Sequence, residues 1–309
     1  MSEYIIEEND SNRRVDRVAR RFLKNAPISF VYSSIRNGLI RLNGSKVKPN
    51  VLTTLNDVLY IDERLEECKT IESKIIKNSI ELDVILKTGH LLFLNKRAGC
   101  VTHGKNSIDE IVKKKFPASN SLSFSVGALH RLDKDTSGIL TFSQSLKGAK
   151  CFSKAIRNGE LGRYYIGINE GYLKTATWKI LNHKNSLLEY EITKTWLIEY
   201  SKKDDLSLSL YKLVTGKKHQ IRYGAKYFAT PLFCDSLYGS KRHDFSIYFL
   251  HSFALSFSNP MFNDVPPVIF ATLPNYFLKA IKNYFPIINE KIEKKGNLKL
   301  LKELVKKNF

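Results

Sequence analysis

The chain has 309 residues, 43% of them hydrophobic and 26% charged. That is enough apolar material for a core, and it excludes a mainly disordered or collagen-like chain. Fifty Lys and Arg against thirty Asp and Glu give a net charge of +20, which favours a polyanionic partner, most often nucleic acid.

Residues 1–12 read as a polar tail. From 13 to 62 a small basic unit follows, with ten Lys or Arg against three acids between Asn12 and Asp62. In it Val15, Val18, Ala19, Phe22 and Leu23 recur at helical spacing. A second helix fits Ser29 to Asn37, with Ser29 as N-cap and Gly38 just past the end. Asn43-Gly44 between Leu39–Leu42 and Ser45–Lys48 is a hairpin signal, and a last strand fits Asp57 to Ile61. Residues 63–79 are charged and polar and read as a linker.

Alternating apolar segments resume at Leu82 and define a large unit over 80–285. Strands are expected at Ile85-Leu86, Leu91–Asn95, Ile139–Phe142, Tyr164–Ile168, Ile192–Glu199, Leu206–Val214 and Phe253–Phe257. Helices are expected from Ser107, where Ser107 to Glu110 is a capping box, to Pro117; from Ser145 to Ile156; and from His219 to Phe228. Strands and helices do not alternate regularly, so the fold class is α+β with a mixed, mainly antiparallel sheet rather than a doubly wound parallel one. Residues 286–309 read as a basic C-terminal tail able to form an amphipathic helix through Leu298, Leu301, Leu304 and Val305.

Cys68, Cys100, Cys151 and Cys234 are far apart and form no C-x-x-C, which excludes a disulfide scaffold and fits a reducing, cytoplasmic setting. The start, Met1-Ser2-Glu3-Tyr4, does not resemble a signal peptide. The longest apolar stretch, Ile247 to Phe257, contains His251 and two serines and is too short to cross a membrane.

Two strings concentrate chemistry. His130 to Gly138 packs a histidine, two cations, two carboxylates, two hydroxyls and a glycine into one loop before a strand, the usual place for reactive groups on a rigid scaffold. By composition it equally suits a solvated turn capped by Asp135, Thr136 and Ser137. Thr215 to Arg222 contains Gly216-Lys217, but Tyr211 and Lys218 stand where a P-loop needs Gly and Ser or Thr, so nucleotide binding of that type is rejected. His219 has no second ligand at metal spacing, so no metal site is expected.

Together these strings resemble the RluA-type pseudouridine synthases. The resemblance runs through His130–Gly138, Arg163-Tyr164-Tyr165, Thr215–Arg222, Asp235–Gly239, Leu250-His251-Ser252 and Asn95–Gly99. The head resembles an S4 RNA-binding domain through Arg14-Val15-Asp16, Ile35–Gly38 and Val47-Lys48-Pro49, and the whole is most similar to the RluC-like subgroup acting on large-subunit ribosomal RNA. Departures are Lys217 for the usual Arg, Arg97 for Pro, and Tyr223-Gly224 where Val-His is common.

The resemblance implies isomerisation of specific uridines in RNA, most often 23S ribosomal RNA, with no cofactor and no metal. It implies Asp133 as the catalytic aspartate, nucleophile at C1′ or base toward C2′; Arg222 as its bidentate partner; and Tyr165 as the ring that stacks on the flipped base. Arg131 would fill the vacated stack or contact a phosphate, His130 would order the loop, and Ile221, Thr215, His219 and Gln220 would line the substrate pocket. Arg14, Arg17, Arg20, Arg21, Arg36, Lys46 and Lys48 would meet RNA phosphates. A monomer without membrane or nucleotide-cofactor partners is expected. The competing readings are a synthase acting on transfer RNA, a non-catalytic ribosome-assembly factor that keeps the fold, and, last, a DNA-binding protein.

Overall fold

The computed structural model describes residues 2–23, 28–62, 65, 81–117, 124–182 and 189–308. The basic head contains β1 (Ser2–Ile5), α1 (Val15–Phe22), α2 (Ile28–Arg36), β2 (Ile40–Leu42) and β3 (Val58–Ile61), with an antiparallel sheet in the order β1-β3-β2. Val15, Val18 and Ala19 of α1 and Val31 and Ile35 of α2 pack onto Ile40, Leu59 and Ile61.

Four expectations for this part are corrected. Residues 2–5 are an edge strand, and Ile6 behind it is buried in the core, so the first residues are not a free tail. Helix α2 already includes Ile28, so Ser29 lies inside it rather than at its N-cap. Asn43 and Gly44 turn as expected, both at positive φ, and Leu42 and Ser45 exchange backbone hydrogen bonds. The pairing stops there, because Asn43 hydrogen-bonds Asp57 and the amide of Val58 and steers β2 onto β3 instead. Of the expected linker only Leu65 is described, and it is buried in the head core; the rest lies outside the described residues.

The large unit contains β4 (Val84–Lys87), β5 (Leu91–Lys96), α3 (Ile108–Lys115), β6 (Gly127–Ala128), β7 (Ser137–Ser143), α4 (Leu146–Arg157), β8 (Leu161–Glu170), β9 (Ala176–Asn182), β10 (Glu189–Ser201), β11 (Leu206–Leu213), α5 (Gln220–Tyr227), β12 (Leu250–Phe257), β13 (Val268–Phe270), α6 (Asn275–Tyr284), α7 (Pro286–Lys295) and α8 (Asn297–Asn308). The sheet runs β4-β5-β7-β12-β8-β11-β10-β9, with β6 beside β7 and β13 beside β12. It is mixed and dominated by antiparallel pairs, as the irregular element order predicts. Helix α3 starts on Ser107, whose hydroxyl accepts from Glu110, while the Glu110 carboxylate reaches the amide of Asn106 rather than that of Ser107.

Helices α6, α7 and α8 cover one sheet face, where Phe277, Ile281, Ile288, Leu300 and Leu301 bury against Ile166, Leu208 and Leu210. The expected basic tail is therefore part of the core. Its charges lie on outer faces, and the buried Glu199 of β10 fastens it by accepting from the amides of Ile287 and Ile288 at the start of α7. On another face α3 and α5 pack Val112, Ile221 and Ala225 against Leu94, Tyr211 and Trp178. Among the described residues no helix is long and apolar enough to cross a membrane.

The site is positioned where β7 and β12 run parallel, His251 opposite Ser137 and Ser252 opposite Gly138. Gly138 has φ +110°, and a Cβ there would strike the Ser252 backbone. The loop that feeds β7 is tied down along its length. The His130 ring accepts from the Thr141 amide and stacks on Phe152. The Lys96 ammonium donates to the carbonyls of Arg97, Cys100 and Lys134. Thr102 donates to the Leu132 carbonyl, Thr136 meets the Tyr248 hydroxyl, and Ser137 meets His251 and Tyr276.

Two predictions follow from this anchoring. Gly138→Ala combines a positive φ, worth about 1–3 kcal/mol, with backbone overlap at Ser252, so its urea midpoint should drop well below wild type; an unchanged midpoint contradicts the close approach. Burial lowers the His251 imidazole to about 3, and burial together with Arg163 lowers His130 to about 4. Between these values and the ordinary 6.5 the unfolded chain binds protons that the folded one refuses. Stability therefore falls as pH drops through that window, His251 alone contributing on the order of 2 kcal/mol between pH 7 and 5. Urea titrations at pH 7, 6 and 5 measure this, and a flat profile contradicts it.

Candidate active site

Asp133 stands between two adjoining clefts. One, of about 320 Å³, is lined by Arg131, Thr136, Arg163, Tyr165, His219 and Ile221 among others. The second, of about 540 Å³, includes Asp133, Lys134, Arg222, Asp235 and Tyr248. The Asp133 side chain is 19% exposed, with Oδ1 3.4 Å from His219 Nε2 and Oδ2 3.6 Å from Arg222 Nη1.

Arg222 lies on the inner face of α5, brought there by a helix whose Ile221 and Ala225 enter the core. The resemblance implies a bidentate grip of its fork on Asp133, and the structure corrects this. Nε and Nη2 instead donate to the two oxygens of the buried Asp235, each at 2.7 Å, and Nη1 is left toward Asp133. The guanidinium lies over the rings of Tyr248 at 4.2 Å and Tyr238 at 4.8 Å. Burial opposes its charge, but the Asp235 hydrogen bonds and the surrounding anions raise its pKa above the ordinary arginine value. Sequence reasoning placed Asp235 in a matching string without a role and missed Tyr248 altogether.

Tyr165 and Tyr164 point to opposite faces of β8, as strand alternation requires. Tyr165 lines the first cleft with its ring buried beside Leu132 and Ile221, and burial pushes its phenol pKa up. Tyr164 packs in the opposite core, near Ser256 and under Lys212.

His219 begins α5 in the left-handed conformation at φ +56° and hydrogen-bonds Tyr238 through Nδ1. Burial lowers its pKa, with Arg222 and Lys218 adding to the effect and Asp133 opposing it. Gln220 spends all its polar atoms on protein: Oε1 accepts from Thr215 and from the Lys217 amide, and Nε2 donates to Ile192 and Thr193. Thr215 is likewise committed to Gln220 and the Ile192 amide, and it does not line the cleft. Both residues shape the loop, and Gln220 also borders the cleft. Arg163, which sequence reasoning gave no task, lines the cleft and donates to the Thr215 carbonyl. Arg131 is exposed and borders both clefts.

In the head Arg17, Arg20, Arg36, Lys46 and Lys48 are exposed. Arg14 is exposed too, but its guanidinium is bonded to Asp16 at 2.6 Å. The side chain of Arg21 lies outside the described ones. The loop bearing Lys48 runs along α1, where the Asp16 amide donates to the Pro49 carbonyl, and the Lys46 stem covers Gly38 just past α2.

The family model for RNA pseudouridylate synthase matches residues 90–227, which include the Asp133 loop, both tyrosines and Arg222. A relative from Mycoplasma capricolum described as an uncharacterized RNA pseudouridine synthase is 25% identical over 84% of this chain and 92% of its own. The ribosomal large subunit pseudouridine synthase C of Buchnera aphidicola is 28% identical over 90% of this chain and 95% of its own. A solved structure of human RNA pseudouridylate synthase domain containing 4 shares the fold with a TM-score of 0.56 at 16% identity, covering 65% of this chain and 92% of that one. The matched span and the near full-length relatives resemble pseudouridine synthases, the human structure shares the fold, and together the comparisons support an isomerase activity of the pseudouridine synthase kind.

Proposed function

We propose that the chain converts uridines of large-subunit ribosomal RNA to pseudouridine and that Asp133 is the group that acts on the ribose. The observation that carries this is the Asp133 carboxylate on a rigid loop between two clefts, with Arg222 Nη1 at 3.6 Å and the Tyr165 ring across the first cleft. Isomerisation breaks N1–C1′, turns the base, forms C5–C1′ and releases the C5 proton while N1 gains one. Nothing is oxidised and no group departs, so the work falls on an ionised carboxylate and a pocket that retains the detached base.

Each neighbour has a physical task in this reading. Arg222, its own charge offset by Asp235, turns its remaining nitrogen toward Asp133 and orients the carboxylate at the cleft. Tyr165 and Ile221 offer an apolar slot for the base. Arg131, exposed at the rim, is placed to enter the stack vacated by the extruded nucleotide, and extrusion is least costly in loops and irregular helices. His130, held on Thr141, orders the loop and carries no proton in turnover.

Residues 2–65 are read as an S4-type RNA-binding module and residues 81–308 as the catalytic unit. Exposed Arg17, Arg20 and Arg36, with Lys46 and Lys48 on the neighbouring loop, supply sequence-independent affinity through phosphate contacts. The ribosomal target rests on the names borne by the full-length relatives. A cytoplasmic setting accords with that target.

The test uses ribosomal RNA tritiated at C5 of uridine, taken from cells lacking the gene. The wild-type protein should release tritium to water and restore the missing pseudouridines. Asp133→Asn should lose roughly three orders of magnitude in release rate while its RNA affinity stays within about twofold. Near-wild-type release by that variant contradicts the assignment of Asp133, and an unchanged pseudouridine map of large-subunit RNA in the deletion strain contradicts the target.

A further inference from the structure

Helix α5, which brings His219 and Arg222 to the cleft, also carries aromatic rings away from it. Past the N-cap His219, Tyr223 and Tyr227 are four residues apart and share one face of the helix. That step advances about 6 Å along the axis. Tyr223 is 43% exposed and Tyr227 61%, and Phe228 beside them is 40% exposed. The rings touch in sequence, with centroids 6.4 Å apart for Tyr223–Tyr227 and 5.1 Å for Tyr227–Phe228.

The row has a rigid backing. Phe228 stacks on the buried Trp178 of β9 at 5.2 Å and 18° between planes. Trp178 in turn lies so close to α5 that a Cβ at Gly224 would stand 2.8 Å from the indole. This explains why the chain has Gly at 224 beside an exposed Tyr at 223. The segment from Thr215 to Phe228 carries Lys217, Lys218, Arg222 and Lys226 and no carboxylate, and Lys218 and Lys226 are exposed.

Isolated exposed rings are ordinary, but exposed rings in mutual contact, on the helix whose first residues line the cleft, suit a binding surface. A protein partner's interface core is depleted of charge. Rings interleaved with cations suit unpaired nucleotides instead, whose bases offer π faces and whose phosphates take the lysines. We propose that Tyr223 and Tyr227 form a stacking platform for the unpaired nucleotides flanking the reacting uridine. The proposal rests on the reading of the cleft as an RNA site, and it identifies a contact outside the slot that holds the target base.

The test is equilibrium binding of a labelled single-stranded oligouridylate to the full chain, comparing wild type, the Tyr223→Ala/Tyr227→Ala pair and the Tyr223→Phe/Tyr227→Phe pair. Melting temperatures are measured alongside. A base stacked on an aromatic ring contributes about 5- to 150-fold in affinity, so the alanine pair should bind at least about tenfold more weakly and the phenylalanine pair within about twofold of wild type. Alanine variants that bind like wild type overturn the proposal and leave the stripe to a protein ligand or a second copy. Phenylalanine variants as weak as alanine ones also overturn it, because the hydroxyls rather than the ring faces would then be responsible. Binding is read without turnover, so a wild-type chain inactive in tritium release would contradict the proposed reaction while the platform is still judged on affinity.

Discussion

The Arg222 guanidinium is the charge around which the site is built. A buried cation is tolerated only when its charge and its donors are met, and removal of one partner from such a pair costs about 3–5 kcal/mol. Here Asp235 takes two donors in a fork and the rings of Tyr238 and Tyr248 take the faces. The remaining nitrogen faces Asp133 at 3.6 Å. A second buried carboxylate thus carries the cost of the guanidinium and leaves Asp133 only loosely engaged. A carboxylate gripped by both arms of the fork would be a structural ion pair; Asp133, with His219 Nε2 at 3.4 Å and one guanidinium nitrogen at 3.6 Å, keeps lone pairs open to the cleft, as the proposed reaction requires.

The sheet brings these groups together at its one parallel junction among the described strands. The loop of Asp133 enters β7, Tyr165 sits on β8 opposite Ser252 of β12, and α5 returns from β11 to place Arg222 beneath the same opening. Each anchor of the loop comes from a different element: Lys96 from β5, Thr102 ahead of α3, Tyr248 ahead of β12 and Tyr276 from α6. Lys96 and Thr102 hold backbone carbonyls of the loop while Tyr248 and Tyr276 take the hydroxyls of Thr136 and Ser137, so the loop is fixed and the Asp133 side chain still faces the clefts.

The loop, the two tyrosines and Arg222 are legible because the strings that hold them resemble a known family in order and spacing; composition alone leaves the loop open to a solvated turn. The partner of the Arg222 fork was not. Asp235 is 13 residues away, in a turn whose other members are ordinary, and no local pattern distinguishes a carboxylate that meets a guanidinium from one that meets water. The long strands β8, β10 and β11 were readable from their apolar runs, whereas β1, β6 and β13 have two to four residues and exist only because a neighbour pairs with them. The last two helices were read as a tail because their lysines dominate the composition. Ile288, Leu300 and Leu301 are too few to announce burial until Glu199 fixes the start of α7 against β10. Thr215 and Gln220 occur in the same string, and what the string does not disclose is that their polar atoms hold the loop, with Gln220 also bordering the cleft.

The division of labour between two carboxylates is the claim on which the account stands, and replacing the one away from the cleft tests it most directly. Asp235→Asn keeps the shape of the site but removes the charge that offsets Arg222, so the guanidinium should turn its fork toward Asp133 and draw it out of position. At a temperature where circular dichroism shows the variant folded, the account predicts a fall in uridine isomerisation of about 100-fold or more with RNA affinity retained. Turnover equal to wild type in that variant would contradict it.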